Sequence, residues 1–466
     1  MAGSWTIVHS PRSPIRGRYA PTQGGRPASV QVQEPKMPTL LGIASATFIM
    51  STCLASTASE SVSWIPQVVA LGVGALWLCV GVMLQGQQIR WIKPISLYML
   101  FCAWACTGIL VTIDQEYFLL ILKTYWKVAI ITWVLSQTIR TRKDILACCL
   151  VIALSSIVVA IAGRDQISRA LSAHTVVGDA AKARANDTLL GNANYLGMFA
   201  ALVVLCGLTC FLAYRSLILK CLAVAGILSG LYLIAASGSR TSMLGLTCGI
   251  VATFFFHFRK LGLSSTSAKV ATIIFGLSLL VGTGVFITKL PFFYRLVDVF
   301  SSKEELMKEP RVRYFFTALD VITESPVFGL GLGGFALHRL GKTRTGHGHY
   351  SHTSVAETLS TTGLPGFLFY FASLFVLFQL VRRVRKLDLP KEERLVANMI
   401  MSMLAMIISF NAVAIVDTHR LIWPLCGAFA AYLWNIQQKY AASPIRPGLG
   451  TFAALPRRGF PSPQRR

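Results

Sequence analysis

Residues 144–162 read DILACCLVIALSSIVVAIA, with Asp144 at the head and no other charge in the run. A helix needs roughly 20 apolar residues to cross the hydrocarbon of a bilayer. This run is one of a series. Others lie near 38–56, 65–85, 95–113, 117–137, 193–213, 217–236, 241–258, 270–288, 366–381, 395–416 and 421–437. The series predicts an all-α integral membrane protein of about twelve transmembrane helices, counting one span per run. Trp64, Trp91 and Trp133 stand near predicted span ends, as interfacial anchors do.

Composition points the same way. Of 466 residues, 54% are hydrophobic and 14% charged, with a mean hydropathy of +0.59. A chain this apolar has too little polar surface to face water all round. The net charge of +25 would suit a nucleic-acid partner, but the charges sit in short loops and tails between apolar runs, so that class is excluded. All eleven cysteines fall within apolar runs and none forms a CxxC pair. They read as small buried hydrophobes rather than disulfide or metal ligands.

Charge asymmetry orients the spans. With the N-terminus inside, the predicted outer loops 57–64 and 114–116 hold no Lys or Arg, and 237–240 and 417–420 hold one each, while the inner loops hold two to six each, apart from 214–216 with one. The positive-inside rule therefore places both termini in the cytoplasm. The expected organisation is a disordered tail at 1–36, spans 1–9 over 37–288, an outward loop subdomain at 289–365, spans 10–12 over 366–438, and a second tail at 439–466. The fourth span is unusual in carrying Lys123 and Lys127.

The outward loop holds helical signals. Val312, Phe315, Phe316, Leu319 and Ile322 recur at helical spacing, predicting an amphipathic helix that stops before Pro326. Ser354 and Glu357 fit a capping box, and Gly363 with Pro365 a stop, predicting a second helix over 354–362.

Several residues are candidates for chemistry. His352 precedes that second helix, where a helix N-terminus disfavours imidazolium and leaves a neutral ring able to accept a proton. The alternative is an exposed loop histidine. His347, His349 and His352 form an HxHxxH cluster without the spacing of a zinc signature, so no metal and no cofactor is expected. Arg240, the one charge in the turn Ser237-Gly238-Ser239-Arg240, reads either as a snorkelling cation or as a bidentate phosphate ligand. Arg311 and Arg313 open the amphipathic loop helix and read either as solvated residues or as partners of Arg240 on a pyrophosphate. Lys123 reads as a cavity-facing or a snorkelling cation. Asn194, in Gly191-Asn192-Ala193-Asn194, reads as part of a helix start or as a sugar ligand. Asp417, His419 and Arg420 make the last outer turn, lining the same cavity or marking the surface. Gly329-Leu330-Gly331-Leu332-Gly333-Gly334 matches GxGxxG, but no strand precedes it. The glycines are expected to make a tight bend against another backbone, not a dinucleotide site.

Taken in order, these pieces resemble the bacterial O-antigen ligases and O-antigen polymerases. Gly191–Asn194 is similar to the family's asparagine-containing span start, and Ser239-Arg240 to its Ser-Arg turn. Arg311, Phe315, Pro326 and Gly329-Leu330-Gly331 are similar to its arginine-led helix and Pro-x-x-Gly-x-Gly sequence. His352, Glu357, Gly363, Leu364 and Gly366 are similar to its closing segment. Thr353 stands where the family commonly has Asn, and Phe315 where it commonly has Trp. The resemblance implies a GT-C-like fold in the bacterial inner membrane. It implies metal-independent transfer of a glycan from undecaprenyl pyrophosphate, at the periplasmic face, to lipid A core by a ligase, to another glycan by a polymerase, or to a protein by an O-oligosaccharyltransferase. Arg240 and Arg311 would hold the pyrophosphate and His352 would serve as general base. A transporter or flippase is the alternative from another class, although the chain shows neither the repeated halves nor the many intramembrane charges common there.

Overall fold

The computed structural model describes residues 39–55, 64–165, 167–168, 193–257, 310–339, 353–414, 416, 419 and 421–441; at 54–55, 240, 257, 310–313 and 337–339 it describes backbone alone. The described residues are helical and contain no strand. In chain order the helices are α1 (Leu40–Ala55), α2 (Ile65–Leu76, continued by a π-helical segment Trp77–Leu84), α3 (Lys93–Ala105, tightening to 3₁₀ over Cys106–Leu110), α4 (Gln115–Thr138), α5 (Arg142–Ala162), α6 (Ala193–Ala213), α7 (Leu217–Ser237), α8 (Arg240–His257), α9 (Pro310–Glu324), α10 (Gly334–Arg339), α11 (Ser354–Lys386), α12 (Lys391–Val413) and α13 (Ile422–Ala441). Eight of these segments are long and apolar enough to cross a membrane, and α1 and α8 contain shorter apolar helices. The expected span at 270–288 and the tail 1–36 lie outside the described residues; α13 runs on through Ala441, three residues into the second expected tail, and 442–466 lie outside the described residues.

Burial separates centre from rim. In α6, 78% of the most apolar window is buried, against 17% in the segment made by α2 and its π-helical continuation. Accordingly α6 packs against α5, α7, α8 and α12, and α2 stays at the edge. Elsewhere α3 packs on α11, α4 on α13, α1 on α5 and α8 on α12. An aromatic cluster binds α3 to α11 and α13. Tyr98 stacks on Trp423 at 3.8 Å between centroids, and Tyr370 meets Phe101 and Trp423 edge-on. The Tyr370 hydroxyl donates to Asn411 Oδ1 at 2.6 Å. Most cysteines are buried, as expected, but Cys79 and Cys221 are exposed. Both lie on apolar helices whose outer faces have lipid as their solvent, so exposure there costs a small hydrophobe little.

One end of the bundle is tied by polar side chains. Thr141 and Asp144 cap α5 with reciprocal bonds. Asp144 also accepts from Thr39 N at 2.8 Å and Thr39 Oγ1 at 3.0 Å, which docks the start of α1. Arg90, between α2 and α3, is buried (7% exposed). Its guanidinium donates to Gln137 O, Ile139 O and Asn435 Oδ1, satisfying carbonyls that the end of α4 leaves open. Burial, and the nearby Arg140 charge, hold Arg90 well below the usual arginine range. Glu392 pairs with Arg142 and with Arg215, joining the starts of α5 and α12 to the α6–α7 turn.

Candidate functional site

At the opposite end, four helix starts (α6, α8, α11, α13) and two helix ends (α7, α12) meet. The turn between α7 and α8 is built from small residues. Gly238 takes φ 55°, the left-handed conformation that commonly ends a helix. Ser239 donates its N–H to Ser237 Oγ at 3.2 Å, and its hydroxyl accepts from Ser242 N at 3.4 Å, which caps α8. Arg240 is thereby fixed as the first residue of α8. Ser239 Oγ also donates to Asn194 Oδ1 at 3.0 Å. The structure thus brings Asn194, in the first turn of α6, to the residue beside Arg240. Gly197 lets α6 approach this closely, since a Cβ there would collide with the side chains of Ser242 and Ser237.

The start of α11 joins the same end through α12. Thr353 is its N-cap and accepts from Ala356 N at 3.1 Å. This corrects the expected capping box, in which Ser354 was the cap. Ser354 instead faces the chain after α12, donating to Ala414 O at 3.0 Å and accepting from Val416 N at 2.7 Å. Threonine and asparagine both cap well, so the departure at 353 preserves the local structure. His352 immediately precedes Thr353 and lies outside the described residues, with His347 and His349. Glu357 is buried (5% exposed) in the first turn of α11, where a carboxylate suits the helix dipole. Thr241 Oγ1 reaches Val413 O at 3.5 Å, closing the contact between α8 and α12.

The glycine loop and the α11 kink fit each other. Helix 354–362 was expected to stop at Gly363; the chain breaks helical geometry there (φ 66°, ψ −173°) and at once resumes as the span, so one element runs 354–386. The break opens the helical bond that would join Leu364 N to Ser360 O. Leu364 N donates to Pro326 O at 2.9 Å, and Ser360 O accepts from Leu330 N at 2.8 Å. Both groups orphaned by the kink are satisfied by the 326–330 loop. Trp104 Nε1 adds a bond to Thr362 O at 2.9 Å, and its ring stacks on Phe328. The glycines press against backbone as expected: a Cβ on Gly331 would stand 2.8 Å from Gly108 O.

Helix α9 ends at Glu324, before Pro326. Its buried residues are not the phenylalanines of the amphipathic pattern. Tyr314, Ala318 and Val321 are buried, Tyr314 and Ala318 clustering with Phe335 and Ala356, while Phe315 and Phe316 are exposed. Apolar spacing marks an amphipathic helix but cannot say which apolar residues meet protein when lipid is also a solvent. Arg311 and Arg313 lie in the first turn of α9, which packs on α11. Lys123 is exposed on α4, whose partners include α13 and α3.

The last helix start completes the arrangement. His419, 8% exposed, meets Tyr195 of α6 edge to face at 5.4 Å. Its Nδ1 accepts from Leu421 N at 3.3 Å and Ile422 N at 3.4 Å at the start of α13. Asp417 and Arg420 lie outside the described residues. Helix N-termini outnumber C-termini at this end four to two, and N-termini suit an anionic ligand where C-termini oppose it. Neither the Ser354 tie nor the Tyr195–His419 pair carries a sequence signal, because each joins residues far apart in the chain. Among the described residues no cluster of His, Cys, Asp and Glu could hold a metal ion.

Long apolar helices packed around a buried polar helix-end cluster define an all-α integral membrane protein. Residues 224–371, from α7 through the α11 kink, match the family model described as O-antigen ligase. That match, over about a third of the chain, supports the O-antigen ligase and polymerase superfamily. No curated protein matches the chain.

Proposed function

We propose that this protein transfers a glycan from undecaprenyl pyrophosphate to an acceptor hydroxyl at the periplasmic face of a bacterial inner membrane, as an O-antigen ligase acting on lipid A core. The observation that carries the reading is the meeting of Asn194, Ser239 and the start of α8 with the start of α11, within a chain that matches the O-antigen ligase family. The excess of helix N-termini over C-termini at that end suits the pyrophosphate.

In this reading the acceptor oxygen attacks the anomeric carbon as the bond from that carbon to the pyrophosphate oxygen breaks, with inversion. The bonding pair leaves on the pyrophosphate. His352 takes the hydroxyl proton, and Arg240 and Arg311 stabilise charge growing on the leaving group. Asn194 aligns the glycan, and Arg313 and Lys123 are weaker candidates for holding the donor. No metal takes part, and both termini are cytoplasmic.

The test is transfer in vitro from purified undecaprenyl-pyrophosphate glycan, with EDTA present, by wild type and His352→Ala. Transfer by wild type and its loss in the variant support the reading. A folded wild type that transfers to no acceptor sinks it. Cells lacking the protein separate the roles: lipid A core without O-antigen marks a ligase, and lost polymer length a polymerase.

A further inference from the structure

We propose that the apolar segment 270–288 of this chain seats as a helix in the groove between α8 and α12, antiparallel to α8. The placement stands or falls apart from the transferase reading.

The groove has a volume of about 810 Å³. Cys248, Val251 and Phe255 of α8 line one wall, and Ala405 and Ser409 of α12 the other. Arg385 of α11 closes the end away from the candidate site. Its guanidinium lies over the Phe256 ring at 4.3 Å, and its Nε donates to Asn398 Oδ1 at 2.8 Å. Leu244, Cys248, Val251 and Phe255 follow one another at intervals of four, three and four, the spacing of a helix-packing seam. Leu244 and Phe255 are 48% and 57% exposed. Among the described residues α8 packs chiefly on α12 and α6. The stripe is therefore the face of α8 left for a further neighbour.

Connectivity names that neighbour. α8 begins at the candidate site with Arg240 and finishes at the opposite end with His257. The chain is next described at α9, whose Tyr314 clusters with Ala356 in the first turn of α11, back at the site end. Residues 258–309 must therefore return along the bundle. Within them the run 270–288 carries no charge and is bounded by Lys269 and Lys289. As a helix it extends about 28 Å, enough to cross hydrocarbon with its backbone bonds satisfied internally. Only residues 258–269 link it to α8, and consecutive elements joined by a short connection usually lie side by side. Gly276, Gly282 and Gly284 give the run small positions at which a facing helix can approach closely. Seated in the groove, the segment emerges beside Arg240 and feeds the chain that opens α9 with Arg311.

Cys248 supplies the probe. Matching depth from the far ends of the two helices at about 1.5 Å per residue puts it level with about residue 279. Each residue from 273 to 284 is replaced in turn by cysteine, Leu279→Cys among them, in the full chain in membranes. The protein is oxidised with copper phenanthroline, and disulfides are identified by peptide mass spectrometry. Bonds to Cys248 are expected from one helical face, near 275–276, 279 and 282–283. None is expected to Cys221, which is exposed on α7. No bond to Cys248 from any position overturns the placement and leaves lipid as the cover. Bonds without helical phase, or to Cys221 in preference, also overturn it. A Cys248–Cys248 bond between two chains as the sole product overturns it in favour of a second copy.

A second variant needs no disulfide. Ala405→Phe adds a ring inside the groove. Against a seated helix this overpacks, and the melting temperature should fall by several degrees relative to Leu228→Phe, on the exposed face of α7. Fluid lipid would accept the ring, so equal melting temperatures overturn the placement. Neither measurement reads transfer, and a failed placement leaves the transferase reading as it was.

Discussion

Val416 donates its backbone N–H to the hydroxyl of Ser354 at 2.7 Å, across a separation of 62 residues. The same hydroxyl donates to Ala414 O at 3.0 Å. One buried serine therefore fixes the end of α12 against the start of α11, next to the segment that carries His352.

Ser354→Ala removes both bonds and leaves Val416 N buried without this acceptor. The expected cost is about 1–3 kcal/mol of stability. Transfer should fall further than folded content does, because the start of α11 loses its register against α12. Melting curves and transfer rates on the same preparation check this. A variant that melts lower yet keeps full activity per folded molecule would show that the tie serves stability alone.

Gly363 and Gly86 both take positive φ, at 66° and 59°. Their surroundings differ. A Cβ on Gly363 would collide with the carbonyls of Val327 and Pro326, whereas nothing lies within 4 Å of one on Gly86. Gly86→Ala should cost about 1–2 kcal/mol, the strain of a left-handed alanine. Gly363→Ala should cost clearly more, by prying the 326–330 loop from the kink. Equal losses of melting temperature in the two variants would refute the close-approach argument.

Arg90 satisfies three acceptors with one planar fork. Arg90→Lys keeps the charge but cannot reach all three, leaving buried carbonyls at the end of α4 open. The expected loss is about 1–3 kcal/mol, with kcat and KM unchanged because the residue is at the end away from the site. A large change in KM would mean that the two ends are coupled.

Asn194→Ala deletes the acceptor for Ser239 Oγ and frees the turn before Arg240. One neutral hydrogen bond contributes about 0.5–1.5 kcal/mol, so a roughly 2- to 12-fold loss in kcat/KM is expected if the bond only positions the turn. A larger loss, with Ser239→Ala near wild type, would assign Asn194 a direct contact with the glycan.

Much of this architecture is written locally. Apolar runs placed the spans close to the helices seen, because a bilayer demands that backbone groups be satisfied within each segment. Pro326 and Gly363 marked real boundaries, since ring geometry and positive φ act wherever they occur. Asn194 and Arg240 were also legible, as a span start and a charged turn among small residues. The structure puts Asn194 within one hydrogen bond of the residue preceding Arg240.

Only the tertiary structure decided how those elements are used. Ser354-x-x-Glu357 reads as a capping box, yet Thr353 caps and Ser354 crosses to α12, because a distant backbone N–H competes for the hydroxyl. The α9 pattern marked an amphipathic helix through Phe315 and Phe316, and the fold buries Tyr314 and Ala318 while leaving those two phenylalanines exposed. Hydrophobicity alone is equally satisfied by lipid and by protein, so it fixes that a residue leaves water but not what it then meets. The Tyr195–His419 contact joins positions more than two hundred residues apart. Local sequence fixes helices and their ends through short-range bonding, whereas the partners at those ends follow from packing that no local pattern encodes.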